Sequence, residues 1–109
     1  MTVATLQSRK MAEAARRQTA AAGIVEKLRS YAVREGGRYI VFGSSISGEM
    51  RYDSDIDVLV EFPSEKAAAA TVYVEDLCQE HAIPADVLDA ATTKDEFVNR
   101  ARVNGLCLP

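Results

Sequence analysis

Val41-Phe42-Gly43-Ser44 and, ten residues further on, Asp55-Ile56-Asp57-Val58-Leu59-Val60 are the stretches that decide the fold. The first closes a short aromatic and β-branched run, residues 38–42, which reads as a strand. The second opens another strand over 55–62, ended by Pro63. Residues 43–54 between them are rich in Gly, Ser and Asp and read as a loop with room for one helical turn. Aspartate is depleted within strands, so Asp55 and Asp57 at the head of an apolar run call for an explanation. Alternate residues of a strand share a face with Cα atoms ~6.7 Å apart, so the two carboxylates project together while Ile56 and Val58 turn to the core. Like charges held close and away from water repel by about 4 kcal/mol at 4 Å and an effective dielectric of 20. A divalent cation with oxygen ligands offsets that repulsion, and carboxylates without nearby His or Cys suit Mg²⁺ or Mn²⁺ rather than zinc.

Upstream, residues 5–35 are helical in pattern, with Ile24, Leu28 and Tyr31 at i, i+4 and i+7. Gly23 allows this segment to be one helix or two, and Gly36-Gly37 stops it. Downstream, Ser64 offers an N-cap to an alanine-rich helix running to about His81, and Pro84 precedes a third short strand over 85–88. Thr93 and Glu96 carry a capping-box pattern for a last helix that Gly105 ends. The expected architecture is α/β (α+β), a small mixed sheet with flanking helices in the order α-β-β-α-β-α. A single domain over 1–109 accounts for the length, with an N-terminal helical segment at 1–35 and a core at 38–109.

Topology nominates a third acid. A helix connects the second and third strands, so within one sheet these two run parallel and begin at the same edge. Asp86 lies near the start of the third strand and Asp89 at its far end, so Asp86 is expected beside Asp55 and Asp57. The loop after the first strand must deliver the chain to that edge, which places Gly43 and Ser44 opposite the acids. Glycine admits close approach of backbone to a ligand, and turn N–H groups can cradle phosphate oxygens. A phosphate cradle facing metal-binding acids is a nucleotide–metal site.

Charge distribution agrees. Residues 1–40 hold eight Lys or Arg against three acids, and residues 41–90 hold eleven acids against Arg51 and Lys66 alone. The basic third reads either as a solvated helix face or as a surface for phosphate or an acidic partner. Cys78, Cys107 and a single His81 are too sparse for a zinc cluster or a disulfide framework, which points to a reducing, cytoplasmic compartment. The cysteines read as small packing residues and His81 as a helix-end residue. No apolar run approaches the ~18 residues of a membrane span.

Gly43-Ser44-x₁₀-Asp55-x-Asp57, with a third acid in Ala85-Asp86-Val87-Leu88, resembles the signature of the DNA polymerase beta-like nucleotidyltransferase superfamily. The short chain, with Val41-Phe42-Gly43-Ser44 and Ser54-Asp55-Ile56-Asp57-Val58, resembles most its minimal nucleotidyltransferase group. The resemblance implies that Gly43 and Ser44 contact a triphosphate, that Asp55 and Asp57 ligate two Mg²⁺ ions (Mn²⁺ the substitute), and that Asp86 joins them and activates an acceptor hydroxyl. The implied reaction moves a nucleoside monophosphate, AMP from ATP, to that hydroxyl and releases pyrophosphate. Such a site clamps attacking and leaving oxygens between metals ~3.5–4 Å apart. Family members commonly carry arginines where this chain has Ser45 and Ser47, and Arg51 is the candidate to replace them at the triphosphate. The group also implies a helical partner of the HEPN type in a toxin–antitoxin pair. Two other readings are an inert module that neutralises its partner by contact, and a transferase for an aminoglycoside-like small molecule, whose acceptor site would need a partner or a second copy. Direct nucleic-acid binding is not expected.

Overall fold

The computed structural model describes residues 5–109. The first element among them is one helix, α1 (Leu6–Glu35), capped by Thr5, whose side chain accepts from the Ser8 N–H at 3.1 Å. Gly23 does not interrupt it, because Ile24, Val25 and Leu28 on either side of the following turn are buried and hold the backbone helical. Gly36 ends it at φ 75°, a left-handed conformation that glycine adopts without steric penalty. Then follow β1 (Arg38–Phe42), a single turn α2 (Ser44–Ser47), β2 (Ile56–Glu61), α3 (Ser64–Glu80) and β3 (Ala85–Asp89). A 3₁₀ turn at Ala90–Thr92 leads to α4 (Asp95–Asn104) and β4 (Leu106–Leu108).

The four strands form one mixed sheet in the order β3-β2-β1-β4. β1 lies antiparallel to both β2 and β4, and β2 parallel to β3. Alternation divides the apolar residues between two faces. Tyr39, Val41, Ile56, Val58 and Val60 pack against Ala21, Ile24, Leu28 and Ala32 of α1 and Ala70, Val74 and Leu77 of α3. The buried Tyr39 hydroxyl donates to the Ala70 carbonyl at 2.7 Å, tying β1 to α3. On the opposite face Ile40 and Leu59 pack under Val98 and Ala101 of α4. Only α1 residues from Ala21 onward are buried, and Met11 in its first half stays 64 % exposed.

The expected order α-β-β-α-β-α holds, with α2 as the helical turn allowed in the 43–54 loop, and the structure adds the 3₁₀ turn and β4. β4 was not foreseen because three residues are too short to show an alternating pattern, yet Leu108 is fully buried where it pairs with Tyr39. The caps also differ. Ser64 is the first residue of α3 after Pro63, and the Thr93 hydroxyl donates to the Asp89 carbonyl instead of capping α4. Cys78 is buried as expected, whereas Cys107 is exposed on β4. If β4 pairs as described, Leu108→Ala costs about 2–5 kcal/mol. Cys107→Ala, exposed on the edge strand, stays within about 0.5 kcal/mol. Denaturant unfolding of both variants checks this, and equal effects contradict the strand.

Candidate active site

The parallel pairing of β2 and β3 brings their N-terminal ends to one edge, and the antiparallel β1 arrives there with its C-terminal end. Register then sets the site. Asp57 faces Asp86 across the β2–β3 pair and Phe42 across the β1–β2 pair, with Gly43 next in the chain. Asp55 lies two residues before Asp57, immediately outside β2. Alternation puts Asp57 and Asp86 on the face of Leu59 and Leu88, the one α4 covers. The cover stops short of the edge: Asp55 and Asp57 are half-buried and Asp86 is exposed.

Electrostatics follow from that crowding. The Asp57 carboxyl is pushed up to about 6, first by burial, then by the charges of Asp55 and Asp86, and by a hydrogen bond shared with Asp55. A cation between these groups would reverse each of the charge effects. Gly43 closes the other side. Its φ of 82° suits glycine, and a Cβ there would collide with Asp57 Oδ2. The backbone of the loop thus lies directly against the raised Asp57 carboxyl. All the candidate ligands are hard carboxylate oxygens, a donor set that fits Mg²⁺ or Mn²⁺. Among the described residues no three such side chains stand as a preformed metal cage.

Ser44 begins α2, where the N–H groups of Ile46 and Ser47 close the turn on the Gly43 carbonyl at 3.2 and 3.3 Å. The N–H groups at the start of such a turn have no carbonyl behind them, which leaves them for an anion. Ser45 is buried against α1, where the Gln18 amide donates to its carbonyl at 2.9 Å; Ser45 Oγ and Gln18 Oε1 are buried without partners. Position 45 therefore packs into the fold, while Ser47 is exposed.

Arg51 is not brought to the acids in this arrangement. It approaches Asp53 at 4.0 Å and lines a separate groove with Lys10, Met11, Met50 and Tyr52. A different cation borders the Gly43 turn. Arg100 and Asn104 of α4 line a cavity of about 200 Å³ together with Phe42, Gly43, Phe97 and Ala101. The signal for it lay in the spacing: Phe97, Arg100, Ala101 and Asn104 fall at i, i+3, i+4 and i+7 on one helix face.

A family model for the nucleotidyltransferase domain matches residues 22–105. The chain belongs to this nucleotidyltransferase family. No curated protein and no solved structure matches the chain. The match spans every strand-borne acid of the edge, the Gly43-Ser44 turn and the whole of α4 up to its Gly105 cap. Among the described residues no helix of this nucleotidyltransferase is long and apolar enough to cross a membrane.

The raised Asp57 carboxyl has a definite pH signature. The folded, metal-free protein holds that proton more tightly than the unfolded chain, so the group favours folding below its ordinary value of 3.8. That contribution is lost as pH rises through about 6. Asp57→Asn is therefore expected to be more stable than wild type at pH 7.5 in chelator, with the difference vanishing near pH 4. Thermal unfolding across that range checks it; a variant less stable at pH 7.5 contradicts the crowding.

Proposed function

We propose that this nucleotidyltransferase moves a nucleoside monophosphate, AMP from ATP, onto a hydroxyl acceptor with Mg²⁺ at Asp55, Asp57 and Asp86. The observation that carries the reading is the register pairing Asp57 with Asp86 directly across from the Gly43 turn. Bound there, two Mg²⁺ ions would supply charge neutralisation for the leaving and attacking oxygens. Gly43 and Ser44 hold the triphosphate by backbone N–H groups, and the close approach of Gly43 to Asp57 sets the phosphates beside the acids. Asp86, exposed at the rim, takes the proton of the acceptor hydroxyl. The acceptor oxygen bonds to the α-phosphorus as the bond to the bridging oxygen breaks, and pyrophosphate leaves. Arg100, beside Gly43, supplies the cation that Ser45 and Ser47 do not, and Phe42 and Phe97 wall an apolar cavity next to it.

The acceptor is proposed to belong to a helical HEPN-type protein, with this chain as the antitoxin of the pair. A second reading, neutralisation by contact alone, is favoured by one observation: the loop turns Ser45 inward, leaves Ser47 uncharged and sends Arg51 elsewhere. Label transfer from [α-³²P]ATP to such a partner separates them. Asp57→Asn is expected to reduce transfer at least about 100-fold, since even indirect metal partners are worth 10–100-fold. If Asp57→Asn still neutralises the partner in cells, contact alone suffices. In addition, Arg100→Met is expected to weaken ATP binding about 10-fold, the scale of one charge-assisted hydrogen bond. Arg51→Met leaves it unchanged; the reverse pattern returns the triphosphate role to Arg51.

A further inference from the structure

We propose that Glu13, Arg16 and Arg17 of α1 form a clasp that positions the two acid-bearing segments of the site relative to each other. Glu13 is the hub. Its carboxylate accepts from Arg16 Nε at 2.7 Å and Nη2 at 2.9 Å, and from Arg17 Nε at 2.7 Å. Those hydrogen bonds, Arg16's first, hold the Glu13 carboxyl down at about 2. Each guanidinium then reaches out of α1 with its remaining donors. Arg17 Nη1 donates to the Ser54 carbonyl at 2.6 Å, the peptide unit that leads directly into Asp55. Arg16 donates to the His81 and Ala82 carbonyls, both at 2.8 Å, in the turn that leads through Pro84 to Asp86.

Three features make this more than surface decoration. Exposed ion pairs contribute little to stability, yet Arg17 is only 15 % exposed and spends its outward donor on backbone. Ala82 sits at φ 51°, a left-handed conformation unusual for alanine, and Arg16 binds the carbonyls on that strained turn. The two held segments also meet each other, since the Ile56 N–H donates to the Pro84 carbonyl at 2.9 Å. One carboxylate on α1 thus fixes, through two planar forks, the entry of both strands into the acidic edge. Small misplacements of reacting groups cost rate steeply, so a device of low stabilising value can have high positional value. This also assigns a role to part of the basic first third of the chain.

The proposal rests on the reading of Asp55, Asp57 and Asp86 as metal ligands, and its test separates the two. Arg17→Lys keeps the charge but lacks the fork that spans Glu13 and Ser54; Arg16→Lys cuts only the arm to the 81–82 turn. Amide exchange by NMR and affinity for Mn²⁺ alone are measured on full-length wild type, both variants and Asp57→Asn. Arg17→Lys is expected to raise exchange at Ile56 about 10-fold while β1 amides such as Ile40 stay protected, and Arg16→Lys to do the same at Ile83. Both are expected to weaken Mn²⁺ binding several-fold. Exchange raised uniformly, or unchanged at Ile56 and Ile83, overturns the clasp, as does full Mn²⁺ affinity in both variants. Wild type that binds Mn²⁺ no better than Asp57→Asn overturns the ligand assignment, and the exchange data then decide the clasp by themselves.

Discussion

Repulsion between carboxylates held by strand register is the constraint on which the rest of this structure turns. Asp57 and Asp86 are paired across two parallel strands, and parallel neighbours lie about 4.8 Å apart. Neither strand can slip to relieve the contact, because a one-residue shift would bring Ile56, Val58 and Val60 out of the core that α1 and α3 cover. The apolar face of β2 therefore pins the charged one. Burial of Asp57 first, and then the charges of Asp55 and Asp86 that the register holds beside it, raise this carboxyl to about 6 at the mouth of the sheet.

Each neighbouring element bears on that edge. α3 is the crossover that makes β2 and β3 parallel, without which the acids would lie at opposite ends. β1 returns antiparallel and delivers Gly43, whose missing side chain is what lets loop backbone touch Asp57. α4 covers Ile40 and Leu59 but leaves the acidic rim open, and its Arg100 borders the cavity beside Gly43. α1 contributes packing through its second half and hydrogen bonds through its first, where Arg16 and Arg17 grip the backbone ahead of each acid. The basic first third of the chain in this way holds backbone of the acidic centre.

Much of this was legible before any coordinates. The Asp55-x-Asp57 spacing, the glycine before Ser44 and the helix between two strands were enough to predict three strands, a common edge and the placing of Asp86, since period-2 alternation and crossover topology are local rules. What escaped the sequence has one physical character. β4 is held by pairing to Tyr39 and Val41, far away in the chain, and three residues carry no pattern of their own. Thr93 preferred the Asp89 carbonyl to a capping box because the 3₁₀ turn brought it within reach. Arg51 follows its loop toward α1, and the partners of Arg16 and Arg17 lie 65 and 37 residues away. Long side chains choose partners in space, and their targets become visible only once the sheet has set the loops.

The central claim is that the crowded edge is a nucleotide–metal site. Its most direct test is thermal unfolding with ATP in the presence and absence of Mg²⁺, on wild type and the Asp55→Asn/Asp57→Asn double variant. Saturation at 100 times the Kd adds ~2.7 kcal/mol, or roughly 10–20 °C for a domain of this size. The account predicts a shift of that order for wild type only when ATP and Mg²⁺ are present together, and none for the double variant. A shift that persists without the two aspartates, or no shift in wild type under any combination, contradicts it.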